Sequence, residues 1–406
     1  MEIVNSKNEH SIEDNIINKT FFNKYHCIQK IGKGSFGDIY KAEYNGEMYA
    51  LKFEKNNFNQ NLLENEAIIM NYLKGPNIPH VKFYSSTLEY NILVMQLLGK
   101  NLKTYLEEKK RFSLKTVCML GYQIVSILEN IHNKHILHRD IKPENFVMGL
   151  NGQSKNVYLL DFGLAKKYRS SRTLRQIPFE VNKKIVGTPR YASISALKGH
   201  EQSRRDDLEA VGYMLIYLIK GKLPWQGITS KNKANRYRKL IQKKEKISSK
   251  ELCRDLPEEF EKYISYTRDL GYLEQPDYEM LKGLFNQMLN KINCKFDYVY
   301  DWTTPEENIG ADENKIEFDS IINKKTTFTS YKNNENGDEE INKISLHSPI
   351  DSSKNNFVFN NNIKDDNEKL NEDEEEAIIF SKRKDYLNSI YNEEDVVCCT
   401  SSCILF

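Results

Sequence analysis

Three glycines in the run Gly32-Lys33-Gly34-Ser35-Phe36-Gly37 lie between two stretches that read as strands, Tyr25 to Ile31 and Asp38 to Ala42. Glycine has no Cβ, so its backbone N–H groups can come close to an anion. A dinucleotide-binding turn has the same G-x-G-x-x-G spacing, but it should lead into a helix. Here the glycines lead into Asp38-Ile39-Tyr40, a strand pattern, which suits a hairpin folded over phosphates. A motif of this kind is weak alone, and a merely flexible hairpin has the same form. The rest of the chain has to decide.

Three further motifs follow in order. Met48 to Phe53 reads as a third strand and carries Ala50-Leu51-Lys52. Fourteen residues after Lys52, Glu66 sits in Leu62 to Leu73, whose apolar residues recur at helical spacing and stop at Gly75-Pro76. A lone strand lysine is usually solvated. Paired with a helical glutamate, it would hold its ammonium against phosphate oxygens. Glu64 competes for the pairing, and the register with Gly75 favours Glu66. His138-Arg139-Asp140-Ile141-Lys142-Pro143-Glu144-Asn145 comes next, and Asp161-Phe162-Gly163 begins sixteen residues after Asn145. Asp140 can accept the proton of a substrate hydroxyl, and Lys142 can neutralise a phosphoryl group in transfer. Asn145 and Asp161 offer oxygens to a metal ion. Each motif could arise by chance, but the four in this order specify a protein-kinase architecture. The expected fold is α+β and bilobal, a small β-rich N-lobe at about 23–96 and a larger helical C-lobe at about 97–305. The expected cofactors are ATP and Mg2+, with Mn2+ as a substitute. None of Lys52, Asp140 and Asp161 is lost, which argues against the alternative, a pseudokinase scaffold that binds acidic partners without phosphoryl transfer.

From about Tyr25 to Trp302 the chain resembles the casein kinase 1 family of Ser/Thr protein kinases. The resemblance rests on Phe112 to Val117 (FSLKTV), Asp161 to Tyr168 (DFGLAKKY), Arg190-Tyr191-Ala192-Ser193-Ile194, Glu201 to Glu209 (EQSRRDDLE), Leu223 to Gly227 (LPWQG) and Asp297 to Trp302 (DYVYDW). Two of these stretches, Glu201 to Glu209 and Leu223 to Gly227, argue against neighbouring tau-tubulin or vaccinia-related branches. The usual kinase Ala-Pro-Glu is missing. Ser193-Ile194-Ser195 stands where this family has Ser-Ile-Asn, and Pro189 where it usually has Ala. The resemblance implies ATP contacts at Ile31, Gly32, Gly34, Gly37, Ile39, Ala50, Lys52 and Val147. It also implies Met95 as gatekeeper and a hinge at Gln96-Leu97-Leu98. Arg190 and Arg236, near Gly227, would bind a phosphate or acidic side chain three residues before the acceptor. Arg236 replaces the usual Lys with a planar fork. Arg139, Lys166 and Lys183 would form a second anion pocket, and activity without a phosphorylated activation loop is expected. Asp207 would start a buried helix and brace the catalytic loop; a plain N-cap is the competing reading.

Charge is divided along the chain. Residues 306–406 hold 23 acidic and 11 basic residues, a net −12, so residues 1–305 carry +14. A basic body suits acidic or phosphorylated protein substrates. No basic motif interleaved with aromatics supports nucleic acid. The later segment has 16 Asn and reads as disordered. Ile379, Tyr386 and Ile390, with Phe380, Leu387 and Tyr391, fit a short amphipathic helix or plain coil equally. Ser320, with Glu317 three residues before it, is a candidate autophosphorylation site in a tail that competes with substrate. An inert tether is the other reading.

The expected organisation is a flexible arm at 1–22, a kinase domain at 23–305, a tail at 306–397 and a Cys-rich end at 398–406. The longest apolar run, Val211 to Ile219, is nine residues, half of the roughly 18 that cross a bilayer. The start lacks a secretory pattern, and Glu2 excludes myristoylation. Cys27, Cys118, Cys253 and Cys294 form no C-x-x-C pair and read as reduced core thiols. Cys403-Ile404-Leu405-Phe406 has the C-a-a-X form, with Phe favouring geranylgeranyl. Cys398 and Cys399 can add palmitoyl, since one lipid chain anchors only marginally. A monomer in the cytoplasm, peripheral at the cytoplasmic face of a membrane, is the expectation.

Overall fold

Alternation along one hairpin decides the architecture of the first lobe. In the computed structural model, which describes residues 16–34, 37–56, 62–230 and 232–304, Ile39 pairs with Lys52 and Tyr40 with Leu51. Successive strand residues point to opposite faces, so Tyr40, Ala42, Leu51 and Phe53 share one face, and Ile39, Ala50 and Lys52 share the other. The strands are β1 (Thr20–Phe21), β2 (Tyr25–Gly34), β3 (Gly37–Tyr44), β4 (Glu47–Lys55), β5 (Val81–Ser86) and β6 (Tyr90–Gln96). They form one antiparallel sheet in the order β1-β2-β3-β4-β6-β5. One face closes over Tyr25, Cys27, Tyr40, Leu51 and Phe53. The other, with Ala50, Leu93 and Met95, packs into the main core.

α1 (Leu62–Leu73) covers that inner face. Its buried residues Leu63, Glu66, Ala67, Met70 and Leu73 follow helical spacing, so Glu66 is carried inward with the apolar stripe. The expected loose arm at 1–22 is corrected over its last residues. Ile16 is 2 % exposed. Phe21 packs edge-on against Phe53 at 4.9 Å, and Phe22 against Phe83 at the same distance. Three apolar side chains within seven residues give this polar, Asn-containing segment enough burial to dock. The expected features at residues 1–15, Ser35 and Phe36 lie outside the described residues. So do Glu317, Ser320, the Ile379–Tyr391 helix, Cys398, Cys399 and Cys403.

The second lobe contains α2 (Leu102–Lys109), α3 (Leu114–Asn133), β7 (Ile136–Leu137), β8 (Phe146–Met148), β9 (Val157–Leu159) and β10 (Lys166–Lys167). It continues with α4 (Ile194–Leu197), α5 (Arg204–Lys220), α6 (Lys233–Lys246), α7 (Ser249–Leu252), α8 (Glu258–Asp269) and α9 (Tyr278–Lys291). The four short strands form two antiparallel pairs, β7–β10 and β8–β9, that shape the loops between them. α5 is buried on nearly every side and forms the lobe's axis. Two helix pairs approach closely through glycines, α3 and α9 with Gly121 against Phe285, and α5 and α8 with Gly212 against Ile264. The DYVYDW stretch seals the lobe. Asp301 accepts from the backbone N–H and the hydroxyl of Ser113, at 2.7 and 2.6 Å, while Ser113 caps α3. Trp302 stacks on Tyr105 and Tyr300 at 4.2 and 5.0 Å. The two-lobed α+β arrangement expected from the motifs is the fold observed.

Candidate active site

Strand parity puts Lys52 on the inner face of β4, and helical periodicity brings Glu66 to meet it. Lys52 Nζ donates to Glu66 Oε2 at 2.6 Å and to Asp161 Oδ1 at 3.1 Å. The contact is with Glu66 rather than Glu64. Burial pulls the Lys52 ammonium down, but Glu66 and Asp161 outweigh it and hold its pKa above the ordinary lysine value. Burial pushes the Asp161 carboxyl up, but Lys52 and Lys142 outweigh that and hold it below its ordinary range. Both groups are therefore charged at neutral pH. Gly32 pairs with Ile39, and Gly34 with Gly37, at the end of the β2–β3 hairpin. A Cβ on Gly37 would overlap the Phe53 carbonyl.

The catalytic loop is held from behind. Asp207 accepts from the backbone N–H groups of His138 and Arg139, each at 2.8 Å. Its carboxylate also meets His132 Nε2 at 2.9 Å, and His132 Nδ1 meets the Tyr278 hydroxyl at 2.7 Å. Burial opposes its charge, but His132, His138 and the backbone donor outweigh it, so its pKa is lowered. Asp207 lies in the first turn of the buried helix α5, and the cap is Ser203, in a capping box with Asp206. Asp207 is one position further in, because the brace needs a carboxylate that the cap does not use. Arg139 and Asp161 have φ of 65° and 66°, the left-handed turns that set this loop. His138 Nε2 meets the Leu160 carbonyl at 2.9 Å.

Asp140 is left facing forward. Its Oδ2 accepts from Lys142 Nζ at 2.5 Å, and its Oδ1 from Thr188 Oγ1 at 2.7 Å. Gly187, with φ 89°, approaches the Arg139 carbonyl too closely for a Cβ and so delivers Thr188 to the carboxylate. Asn145 Nδ2 donates to the Asp140 carbonyl at 2.8 Å, so Oδ1 is the end it can offer a cation. Asp161 supplies carboxylate oxygen nearby, its Oδ2 3.9 Å from Lys142 Nζ. Two hard oxygen donors fit Mg2+, which keeps several waters and takes further oxygens from phosphates. Among the described residues no group of three or more His, Cys, Asp or Glu forms a metal cage. Bound Mg2+-ATP supplies the phosphoryl group and offsets the charge on its leaving oxygens. Asp140 can orient a hydroxyl and take its proton at a carboxylate oxygen. Lys142 can balance negative charge beside it.

On the nucleotide-base side, Ala50 pairs with Met95 across β4 and β6. Val147 is buried and bridges to Asn101. Ile39 is partly buried against the core, and Ile31 is exposed at the lip. The Gln96 N–H is engaged by the His80 carbonyl at 2.8 Å, so within the hinge the candidate donors are the N–H groups of Leu97 and Leu98.

The two anion sites differ. The Arg190 guanidinium lies 5.4 Å from the Tyr217 ring centroid and 5.8 Å from that of Tyr191. Its carbonyl accepts from Trp225 Nε1 at 2.8 Å, which keeps the Gly227 turn close by. Arg236 stands exposed on the first turn of α6. The second group of cations gathers around a carboxylate of the chain itself. Lys166 and Lys183 both reach Glu201, at 2.9 and 3.7 Å, and Lys183 also pairs with Glu180. Arg139 donates instead to the Leu164 carbonyl at 2.7 Å; burial lowers its pKa, against the pull of Glu201 and Asp207. Three cations held together need an anion, and Glu201 of the chain itself supplies it. Sequence reasoning gave no role to Thr188, His132, Tyr278 or Glu201. Only Glu201 lies inside a motif stretch, and hydrogen-bond partners 35 to 146 residues apart leave no spacing to read.

A family model, the protein kinase domain, matches residues 25–293, well over half of the chain.

Proposed function

The chain belongs to the protein kinase family, and on that premise we propose that it is a casein-kinase-1-like Ser/Thr kinase that prefers acidic or phosphorylated sites with the negative charge three residues before the acceptor. Phosphoryl transfer from ATP with Mg2+ is the family's chemistry. The preference is supported chiefly by one observation: Arg190 is half-buried against Tyr217 and Tyr191, a cation pre-oriented by two ring faces. The net +14 of residues 1–305 adds a field that draws acidic chains. In this reading Asp140 is the base, Lys142 the charge partner, Lys52 and Glu66 the phosphate positioners, and Asn145 and Asp161 the metal ligands. Mn2+ can stand in for Mg2+.

The test is labelled-phosphate transfer to a Ser peptide with aspartate or phosphoserine at −3 and to its neutral counterpart. The wild type should favour the acidic peptides. Asp140→Asn should lose at least about 100-fold, the lower end of what a positioned base contributes. Equal rates on both peptides would refute the acidic preference. Lipid on Cys403, with Cys398 or Cys399, belongs to the same proposal and would place the kinase peripherally at a cytoplasmic membrane face. An unmodified intact mass from a eukaryotic host would refute it.

A further inference from the structure

The segment 190–193 lies in neither helix nor strand, yet it carries Arg190. It leads into Ser193-Ile194-Ser195, where Ala-Pro-Glu is usual. Four side chains hold it. Trp225 Nε1 donates to the Arg190 carbonyl at 2.8 Å, and Lys244 Nζ to the Ala192 carbonyl at 2.5 Å. Ser193 Oγ bonds Asp206, and the Ile194 N–H donates to Glu209 Oε1 at 3.0 Å.

Lys244 is the unusual member. It is 0 % exposed on α6, with Nζ 4.6 Å from the Tyr213 ring centroid and 4.7 Å from that of Trp225. Enclosing an amine is unfavourable, and a Met or Leu would fill the same space without that cost. What an apolar side chain cannot do is donate to the Ala192 carbonyl.

We propose that Lys244, with Trp225, is a positioning residue for the acceptor substrate, tying down the backbone on either side of Tyr191 so that Arg190 is presented in a fixed direction. The tie passes through carbonyls 190 and 192, and the Tyr191 ring between them flanks the Arg190 guanidinium. Loosening either carbonyl frees the side chain that meets the acidic group, and affinity for the acceptor falls. This rests on the reading of Arg190 as the acidic-site contact.

The experiment uses the full chain with Lys244→Met and Trp225→Phe, the acidic and neutral peptides, and thermal melting. Lys244→Met should raise KM for the acidic peptide about ten-fold, the effect of roughly one lost positioning hydrogen bond. KM for ATP should stay within about two-fold, and Tm should hold or rise, because a buried amine gives way to an apolar isostere. Trp225→Phe, which removes the indole donor and keeps a smaller aromatic ring, should move the acidic-peptide KM in the same direction. Acceptor KM unchanged in both variants overturns the inference. So does a fall in Tm with ATP and acceptor KM moving together, which is what a packing role gives. If Lys244→Met fails to fold, Trp225→Phe decides. A wild type that does not discriminate between the peptides fails the acidic-site reading first and takes this inference with it. A discriminating wild type whose variants keep their acceptor KM fails the inference alone.

Discussion

Lys52 and Lys244 are both enclosed, and their surroundings drive them in opposite directions. Two carboxylates raise Lys52. Burial lowers Lys244 to about 7, with Arg268 of α8 adding to that and Glu209 of α5 opposing it. Tyr213 of α5, Trp225 and the Ala192 carbonyl complete its surroundings. The sign of the pH effect follows. An unfolded lysine titrates near 10.4. Between about pH 7 and that value the unfolded chain therefore binds more protons than the folded one, and stability contributed by this site rises with pH. Below about pH 7 both states carry the charge, and the folded state bears its full burial cost. Urea unfolding of the wild type and Lys244→Met at pH 6, 7, 8 and 9 isolates the group, because the other titrations largely cancel. The wild type should gain on the variant above pH 7, by at most about 1.4 kcal/mol per pH unit. A flat or falling difference would mean that Lys244 keeps its charge when folded. The sequence held part of this. Tyr237, Leu240, Ile241 and Lys244 lie on one helical stripe, which sends the lysine inward. Its destination was not legible, because the carbonyl it meets is 52 residues away.

At the scale of elements, the strand–glycine–strand opening and α1 were legible because local periodicity and turn residues agree there. Leu62 to Leu73 is both the expected and the observed helix. β1, β7 and β10 were not, since each is two residues long and exists only through its partner strand. Close helix crossings are equally silent in one sequence, and glycines inside helices are their trace. A Cβ on Gly121 would lie 2.6 Å from a buried Phe285 ring carbon, whereas one on Gly283 of α9 would meet nothing within 4 Å. Alanine gains about 1 kcal/mol of helix propensity over glycine at either site. At Gly121, overpacking of about 1–3 kcal/mol opposes it. Gly121→Ala should therefore lower stability by up to about 2 kcal/mol, and Gly283→Ala should raise it by up to about 1 kcal/mol. Denaturant midpoints for the pair check the crossing. Equal shifts of the same sign would remove Gly121 as its cause.

For the whole molecule, charge was the most legible property and its local use the least. The +14 of residues 1–305 is a sum. It did not reveal that Glu201 already joins Lys166 to Lys183, or that Arg190 rests on two tyrosines. The consequence for the −12 of residues 306–406 is electrostatic. If the segment competes with an acidic peptide rather than acting as an inert tether, it does so through charge and effective concentration, which salt and truncation test. Removing the residues after Pro305 keeps Asp301 on Ser113 and Trp302 on Tyr105, so the kinase fold retains its seal. KM for the acidic peptide should then fall about three-fold at low salt, while KM for ATP stays put. Near 1 M salt the screening length shrinks to about 3 Å and the two proteins should converge. A KM that is the same with and without the segment at both salts makes it an inert tether. A KM difference that persists at high salt points to apolar contacts instead, with Ile379, Tyr386 and Ile390 the first residues to substitute.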